Sequence, residues 1–376
     1  MDKRRLHFLP MAYSRLRNIW YLLRKGKWKN AYSYLWSTVL TRDSGIAFLD
    51  GVWRRFPRWS PYPEAIEIEV TTKCHLRCVM CEQVYWKEPG RNMSFQQFEM
   101  IMRQFPRLKW IGLTGIGSSF LNPDFMKILE HLKSRGVYIE FFDTFDLITP
   151  DISERLIELK IDKIWLSCEA VQPQTYEKIR AGAKFEKMQK NVKAFLELKR
   201  KQKALIPELW FHYIISRYNV DEIAPYVDFV AELMRNVPQT AVLIFYTGMM
   251  AFKEVVDLQV REIPESIRQS VYQKAHQHGF YINWNENLSP ANGPCACTKW
   301  TEPFILSSGH IQPCCVLNEA NDRDFQRANA FMNVFEEDFR KYWRSKEFRG
   351  FLDTLHRNQF PAVCKNCKVY SRKENR

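Results

Sequence analysis

Ala65-Ile66-Glu67-Ile68-Glu69-Val70-Thr71-Thr72-Lys73-Cys74-His75-Leu76-Arg77-Cys78-Val79-Met80-Cys81 is the stretch on which the fold turns. Its first six residues alternate apolar and polar, the period of a strand. The strand then runs into a short loop with three cysteines, separated by three and then two residues. Three thiolates in so short a loop can converge on one metal centre, and soft sulfur ligands favour iron–sulfur or zinc. Three is one short of a closed site. A four-iron cluster held by three Cys keeps one iron open to an exogenous ligand, as a catalytic zinc keeps one position open. A zinc knuckle is the alternative reading of the same spacing.

Outward from this loop, strand-like and helix-like runs take turns. Strands are predicted at Trp110–Thr114, Tyr138–Asp143, Lys163–Ser167, Leu209–Ile215 and Val242–Tyr246. Helices are predicted at Ser94–Phe105, Pro123–Arg135, Ile152–Leu159, Phe185–Lys203, Asp221–Arg235 and Pro264–His278. Asn122-Pro123 and Thr149-Pro150 read as helix starts, a capping side chain followed by Pro at the first helical position. About six βα units of this length predict an α/β fold with a parallel sheet and helices outside it. Periodicity does not choose between an open sheet and a partial barrel.

The texture changes after about residue 290. Phe304–Ser307 and Ile311–Pro313 flank Ser308-Gly309-His310, a predicted hairpin, and Glu336–Phe351 has helix potential. Six cysteines fall here: Cys295, Cys297, Cys314, Cys315, Cys364 and Cys367. The hairpin can bring Cys297 and Cys314 to one centre, and Cys364 and Cys367 add two more ligands. Four thiolates make a site with no open position, iron–sulfur or structural zinc. Cys295 and Cys315 read as bystanders, and Cys168, inside a predicted strand, reads as a core residue. The expected division is a basic helical segment and linker at 1–63, a core at 64–290 and a small cluster-binding domain at 291–376.

The chain has 376 residues, enough for two or three units with real cores. Hydrophobic residues make up 46% and charged residues 26%, which excludes disorder. No apolar run reaches about 18 residues, which excludes a polytopic membrane protein. The longest, Ala241 to Phe252, reads as a buried strand and its exit. The ten Cys are clustered and no signal-peptide pattern opens the chain, so a reducing cytoplasm with metal-bound thiolates is expected.

Residues 65–235 resemble the core of the radical S-adenosylmethionine (radical SAM) superfamily. The resemblance rests on Cys74, Cys78 and Cys81 and on three further passages. Thr114-Gly115-Ile116-Gly117-Ser118-Ser119 resembles the glycine segment that holds the SAM amino group, although Ser118 and Ser119 stand where Glu-Pro is usual. Ile164 to Ala170, including Ser167-Cys168-Glu169-Ala170, with Thr175 to Gly182 after it, resembles the fourth-strand passage, and Phe211 to Asn219 the fifth. Residues 291–376 resemble the SPASM extension in its shorter form, called Twitch.

The resemblance implies a partial (β/α)6 barrel and a [4Fe–4S] cluster on Cys74, Cys78 and Cys81 with exchangeable SAM on its open iron. It implies SAM contacts at Gly115, Gly117, Ser118, Ser167 and Arg217. It implies one auxiliary [4Fe–4S] cluster on Cys297, Cys314, Cys364 and Cys367. The implied activity is reductive cleavage of SAM to a 5′-deoxyadenosyl radical, hydrogen abstraction, and oxidation or rearrangement of a small molecule, a lipid or glycan, or a peptide. A reductase, flavodoxin or ferredoxin would supply the electron. No leader-binding winged helix is apparent, which favours a small molecule or lipid. Of the charged and aromatic residues at strand ends (Glu140, Asp143, Glu169, His212, Arg217, Tyr246), none is assignable as catalytic.

The net charge is +14, and residues 1–59 hold thirteen Lys and Arg against three Asp and Glu, a net of +10. Five of twelve Trp fall there too. Leu16, Ile19, Trp20 and Leu23 form a helical stripe, as do Tyr32, Leu35, Trp36 and Val39, and Phe56 to Pro63 reads as a Pro-rich linker. Three readings compete: a peripheral membrane helix, an RNA contact, and a cap whose apolar stripe packs on the core. The RNA contact is the weakest of them. The rivals for the whole chain are a non-catalytic metal-binding interaction protein and an RNA-modifying radical SAM enzyme.

Overall fold

A computed structural model describes residues 8–41, 62–86, 88–247, 254–260, 262–286, 302–315, 322–357, 359 and 361–364. The predicted linker Phe56–Pro63 (apart from its last two residues), the predicted strand exit after Thr247, and Cys295, Cys297 and Cys367 lie outside them. The chain divides into two compact units. One comprises residues 1–35, 75–81 and 139–288, and the other 36–74, 82–138 and 289–376.

The parallel strands of the core are β1 (Ala65–Ile68), β2 (Trp110–Leu113), β3 (Tyr138–Asp143), β4 (Lys163–Ser167), β5 (Glu208–Ile215), β6 (Val242–Thr247) and β7 (Tyr281–Glu286). The first six match the predicted runs within two residues. β7 was not predicted. It pairs in parallel with β6, Val242 opposite Tyr281.

In the first unit β3 to β7 lie in sequence order, all parallel. Ile164, Leu166, Leu209, Phe211, Tyr213, Leu243 and Phe245 are fully buried on one face. Tyr213 meets Tyr226 of the helix Ile223–Leu233 at 4.7 Å between ring centroids. Such strands read as near-continuous apolar runs because both faces are covered.

The other face carries charge at its amino-terminal end. Lys163 pairs with Glu140 at 3.2 Å and sits 3.7 Å over the Trp210 ring. Glu208 accepts from Trp210 Nε1 at 2.9 Å, from Asn18 Nδ2 at 2.7 Å and from the Tyr34 hydroxyl. Asn18 and Tyr34 belong to two helices, α1 (Phe8–Arg24) and α2 (Trp28–Leu35). Met11 of α1 packs against Trp210, Val242 and Ile244. The amino-terminal helices therefore cap this sheet, but not with the stripe that periodicity selects. Asn18, Leu22, Asn30, Ala31 and Tyr34 are buried, whereas Leu16 and Trp20 are exposed. The buried Glu208 carboxylate demands donors, and those donors set which side of the helices turns inward.

In the second unit β1 lies between β2 and a short strand β8 (Phe304–Ile305), parallel to both. β8 turns at Ser308-Gly309 into β9 (His310–Gln312), and β10 (Met332–Asn333) pairs with β9. The predicted carboxy-terminal hairpin is present, and it extends the sheet beside β1. Gly309 has φ +85°, and a Cβ there would collide with Asn333 and Phe335. Just past β1, buried Glu69 accepts from Ser307 Oγ at 2.8 Å, from Ser307 N at 3.2 Å and from the Arg323 guanidinium, which lies 4.7 Å over Trp86.

One helix start shifts slightly and one run is broken. Asn122 Oδ1 accepts from Asp124 N at 2.9 Å, as a capping side chain does, while its Nδ2 donates to Val70 O (2.8 Å) and Met93 O (2.9 Å); the regular helix runs from Phe125. The Glu336–Phe351 run is broken into Phe339–Tyr342 and Lys346–His356, because Ser345 Oγ accepts from Phe348 N (3.1 Å) and restarts the helix. Thr149-Pro150 opens its helix as predicted, with Thr149 accepting from Ile152 N.

The Glu69–Arg323 pair yields a test. Arg323→Met leaves a buried carboxylate uncompensated, which costs about 3–5 kcal/mol. Hydrogen exchange should show protection lost at Phe304–Gln312 first, while Glu69→Leu/Arg323→Met recovers part of it.

Candidate active site

Cys74 ends a segment of the second unit, and His75 to Cys81 belong to the first. None of Cys74, Cys78 and Cys81 is in a disulfide. Among the described residues, no three His, Cys, Asp or Glu side chains are grouped closely enough to hold a metal ion.

In the second unit, the glycine segment folds back on the approach to Cys74. Ser118 N donates to Lys73 O at 2.8 Å. Gly117 is pressed against Thr71, where any Cβ would strike the carbonyl oxygen. Gly115 has φ +141° and lies on the Glu69 side chain. Gly115, Gly117 and Ser118 thus lie together, packed on the segment from Glu69 to Lys73 that leads to Cys74.

In the first unit, Cys78 sits in a two-residue antiparallel pairing, Arg77–Cys78 against Arg180–Ala181. Val79 N donates to Ile179 O (2.9 Å) and Cys81 N to Cys78 O (3.0 Å). The pairing places Arg180 beside Cys78, with Nη1 3.5 Å from Sγ. Arg180 Nε donates to Glu169 Oε2 at 2.5 Å, and Nη2 donates to Oε1. Burial disfavours the guanidinium charge, yet Glu169 and Cys78 beside it raise its pKa well above the ordinary value. Asn219 fixes Glu169 from behind, donating to its carbonyl at 2.9 Å. The Asn219 side chain also donates to Ile214 O (2.9 Å) and accepts from Ser216 N (2.7 Å).

Ser167 ends β4 opposite His212 and is buried. Arg217 lies two residues past β5; its N donates to Leu258 O and its side chain is exposed. Cys168 is buried with Sγ on Ala170 O, and burial pushes its thiol up to about 12, a core residue as read.

On the capped face of the first unit, the carboxyl ends of the strands carry aromatic rings. Phe142 stacks on Trp165 at 5.1 Å, and His212 lies edge-on to both at 5.2 and 6.2 Å. Tyr246 is 5.8 Å from His212. Burial, with the charge of Arg180, pushes His212 down to about 3, so its ring is neutral. Its buried Nδ1 has no hydrogen-bond partner. Ligands of parallel α/β sheets bind at this end of the strands.

The sequence shows Glu169 only as one strand-end carboxylate among several and gives Arg180 no role. Arg180 pairs with a residue eleven positions away through a strand of two residues, too short for any periodicity.

The comparisons agree with this architecture. The radical SAM superfamily model matches residues 68–230, and the model of an iron–sulfur cluster-binding domain, SPASM, matches residues 295–368. A Pyrococcus furiosus protein, described as a tungsten-containing aldehyde ferredoxin oxidoreductase cofactor-modifying protein, is 25% identical over 325 residues, which span 80% of this chain and 86% of the relative. A probable GTP 3′,8-cyclase of Archaeoglobus fulgidus is 21% identical over 299 residues, 76% of this chain and 96% of the relative. Streptococcus suis SuiB bound to S-adenosylmethionine has a similar fold, with a TM-score of 0.58 at 16% identity over 87% of this chain and 74% of that one. The structure of anSMEcpe with AdoMet and a peptide has a TM-score of 0.53 at 14% identity, covering 81% and 88%.

Fold and site thus define an α/β protein of the radical SAM type with a helical amino-terminal segment. The chain belongs to the radical SAM superfamily and carries a SPASM domain. Its cofactors are a [4Fe–4S] cluster with S-adenosylmethionine and an auxiliary cluster. No helix among the described residues is long and apolar enough to cross a membrane.

Two tests follow from the buried charges. Arg180→Met should destabilise the chain by about 3–5 kcal/mol in urea by leaving Glu169 unpaired, and Arg180→Met/Glu169→Leu should recover most of that loss. Asp143, at the end of β3, is pushed up to about 7 by burial, with the Phe145 N–H opposing and Asp146 adding to the rise. A carboxyl raised in the folded state binds its proton there first, so its contribution to stability falls as pH rises from about 4 to about 7 and then levels. Asp143→Asn removes that slope, and urea midpoints at about pH 5 and pH 8 should differ less in the variant.

Proposed function

We propose that this chain reductively cleaves S-adenosylmethionine and abstracts a substrate hydrogen, ending in oxidation or rearrangement of the substrate. The observation that carries the reading is the Cys78 environment. A buried sulfur facing a guanidinium that is itself locked by Glu169 suits a thiolate ligand, since hydrogen bonds to sulfur favour the charged form and tune the potential of an iron–sulfur cluster. Three cysteines outside any disulfide, all soft donors, fit the group. By their spacing, Cys74, Cys78 and Cys81 hold the cluster. Gly115, Gly117, Ser118, Ser167 and Arg217 hold SAM, Arg217 offering its exposed guanidinium to the carboxylate. Bound together, cluster and SAM supply the 5′-deoxyadenosyl radical. The auxiliary cluster is assigned to Cys297, Cys314, Cys364 and Cys367, within the 291–376 domain that follows the 64–290 core.

The face lined by Phe142, Trp165, His212 and Tyr246 receives the substrate. Its rings exclude water and its neutral imidazole can accept a hydrogen bond, which suits a small molecule or a sugar-bearing lipid presenting a hydroxyl or amine. The peptide seen with SuiB and the cofactor named for the Pyrococcus relative keep peptides and cofactor precursors within the class. The electron comes from a reductase, flavodoxin or ferredoxin.

Anaerobically reconstituted protein should hold about 8 Fe per chain and release 5′-deoxyadenosine with SAM and a strong reductant. Replacing Cys74, Cys78 and Cys81 by Ala should leave about 4 Fe and no release. Zinc in place of iron, or clusters that never cleave SAM, would overturn the proposal.

A further inference from the structure

The amino-terminal helices have an outer face that the capping role leaves unused. Asn18, Leu22, Asn30, Ala31, Ser33 and Tyr34 turn inward and are buried. The apolar residues that a cap would normally bury point the other way. Tyr13 is 68% exposed, Leu16 64% and Trp20 57% on α1, and Trp28 69% and Tyr32 53% on α2. Five of the eleven large hydrophobic residues exposed among the described residues fall in these two helices, including both of the exposed Trp. Tyr13, Leu16 and Trp20 recur at intervals of three and four, one stripe of a helix.

Charge follows the same pattern. Residues 8–35 contain Arg15, Arg17, Arg24, Lys25, Lys27 and Lys29 and no Asp or Glu. Arg17 is used internally, donating to Pro238 O at 2.7 Å. Arg24, Lys25, Lys27 and Lys29 are exposed around the turn that joins the helices, with Trp20 before them and Trp28 among them. The Arg24 guanidinium lies 4.4 Å over the Trp20 ring, which holds ring and charge at one spot. Trp and Tyr belong at a membrane interface, where one end of the ring is apolar and the other wet, and long cations reach phosphate headgroups beside them.

We infer that the outer face of this helical pair docks on an anionic lipid bilayer, lying in the headgroup region without crossing it. The occupant is a lipid surface because the face combines exposed Trp with exposed cations in a stretch that has no Asp or Glu of its own. Rings at the interface supply the apolar contact, and anionic headgroups complement the charge. A cap of the sheet needs neither feature outward. The inference stands on the helices alone and is independent of the proposed reaction.

The test is sedimentation of the reconstituted full chain with phosphatidylcholine vesicles, with and without phosphatidylglycerol. Binding should require the anionic lipid. Trp20→Ala/Trp28→Ala and Lys25→Gln/Lys27→Gln/Lys29→Gln should each weaken it at least about ten-fold. Both sets are exposed, so circular dichroism and the melting temperature should be unchanged. Absence of binding to either vesicle, or binding indifferent to both sets, overturns the inference. Salt-sensitive binding of RNA through these same residues, without vesicle binding, would replace it with the nucleic-acid reading.

Discussion

The contact on which the first unit's chemistry depends is the one between Arg180, Glu169 and Cys78. A guanidinium buried beside a sulfur is expensive unless its remaining donors are satisfied. Glu169 satisfies them in a forked arrangement, and Asn219 ties the Glu169 backbone to the turn after β5. One short pairing of strands thus links the cysteine loop, the end of β4 and the end of β5. The arrangement aims a guanidinium N–H at the Cys78 sulfur. It therefore specifies the electrostatics at that sulfur as a property of the folded chain.

The second unit uses a related device. Glu69, at the end of β1, is buried and paired with Arg323, and Ser307 donates to it from the carboxy-terminal hairpin. Gly115 rests on the same side chain, and the Gly117–Ser118 backbone presses on Thr71 and Lys73. The approach to Cys74 is thereby fixed by residues from three distant parts of the chain. A carboxylate at a strand end, neutralised by an Arg from elsewhere, is how each unit holds its part of the loop. The aromatic face around His212 is the complement, apolar where those pairs are ionic.

Much of this was legible. The strands show as apolar and β-branched runs because both faces are covered, and the three-cysteine spacing is local by nature. The glycines at 115 and 117 show as glycines, although not what they press against. Less legible were contacts that join residues with no shared periodicity. Glu69 and Arg323 are 254 positions apart, and Arg180 reaches Cys78 over 102. The orientation of the amino-terminal helices was misleading for a physical reason. An apolar stripe marks the buried side of a helix only when the surface it meets is apolar. Here the surface offers Glu208, so Asn18 and Tyr34 face inward and Leu16 and Trp20 outward. Asn122 reads as a cap and its Oδ1 does accept from Asp124 N, but that its amide nitrogen also ties down Val70 and Met93 is invisible in the sequence.

The central claim is that the loop at 74–81 presents a cluster with one iron open to S-adenosylmethionine. Mössbauer spectroscopy of the iron-57 protein, with and without SAM, tests it most directly. The account predicts that one iron site of a single cluster changes its isomer shift on SAM addition while the auxiliary cluster is unaffected. Identical spectra with and without SAM would contradict it.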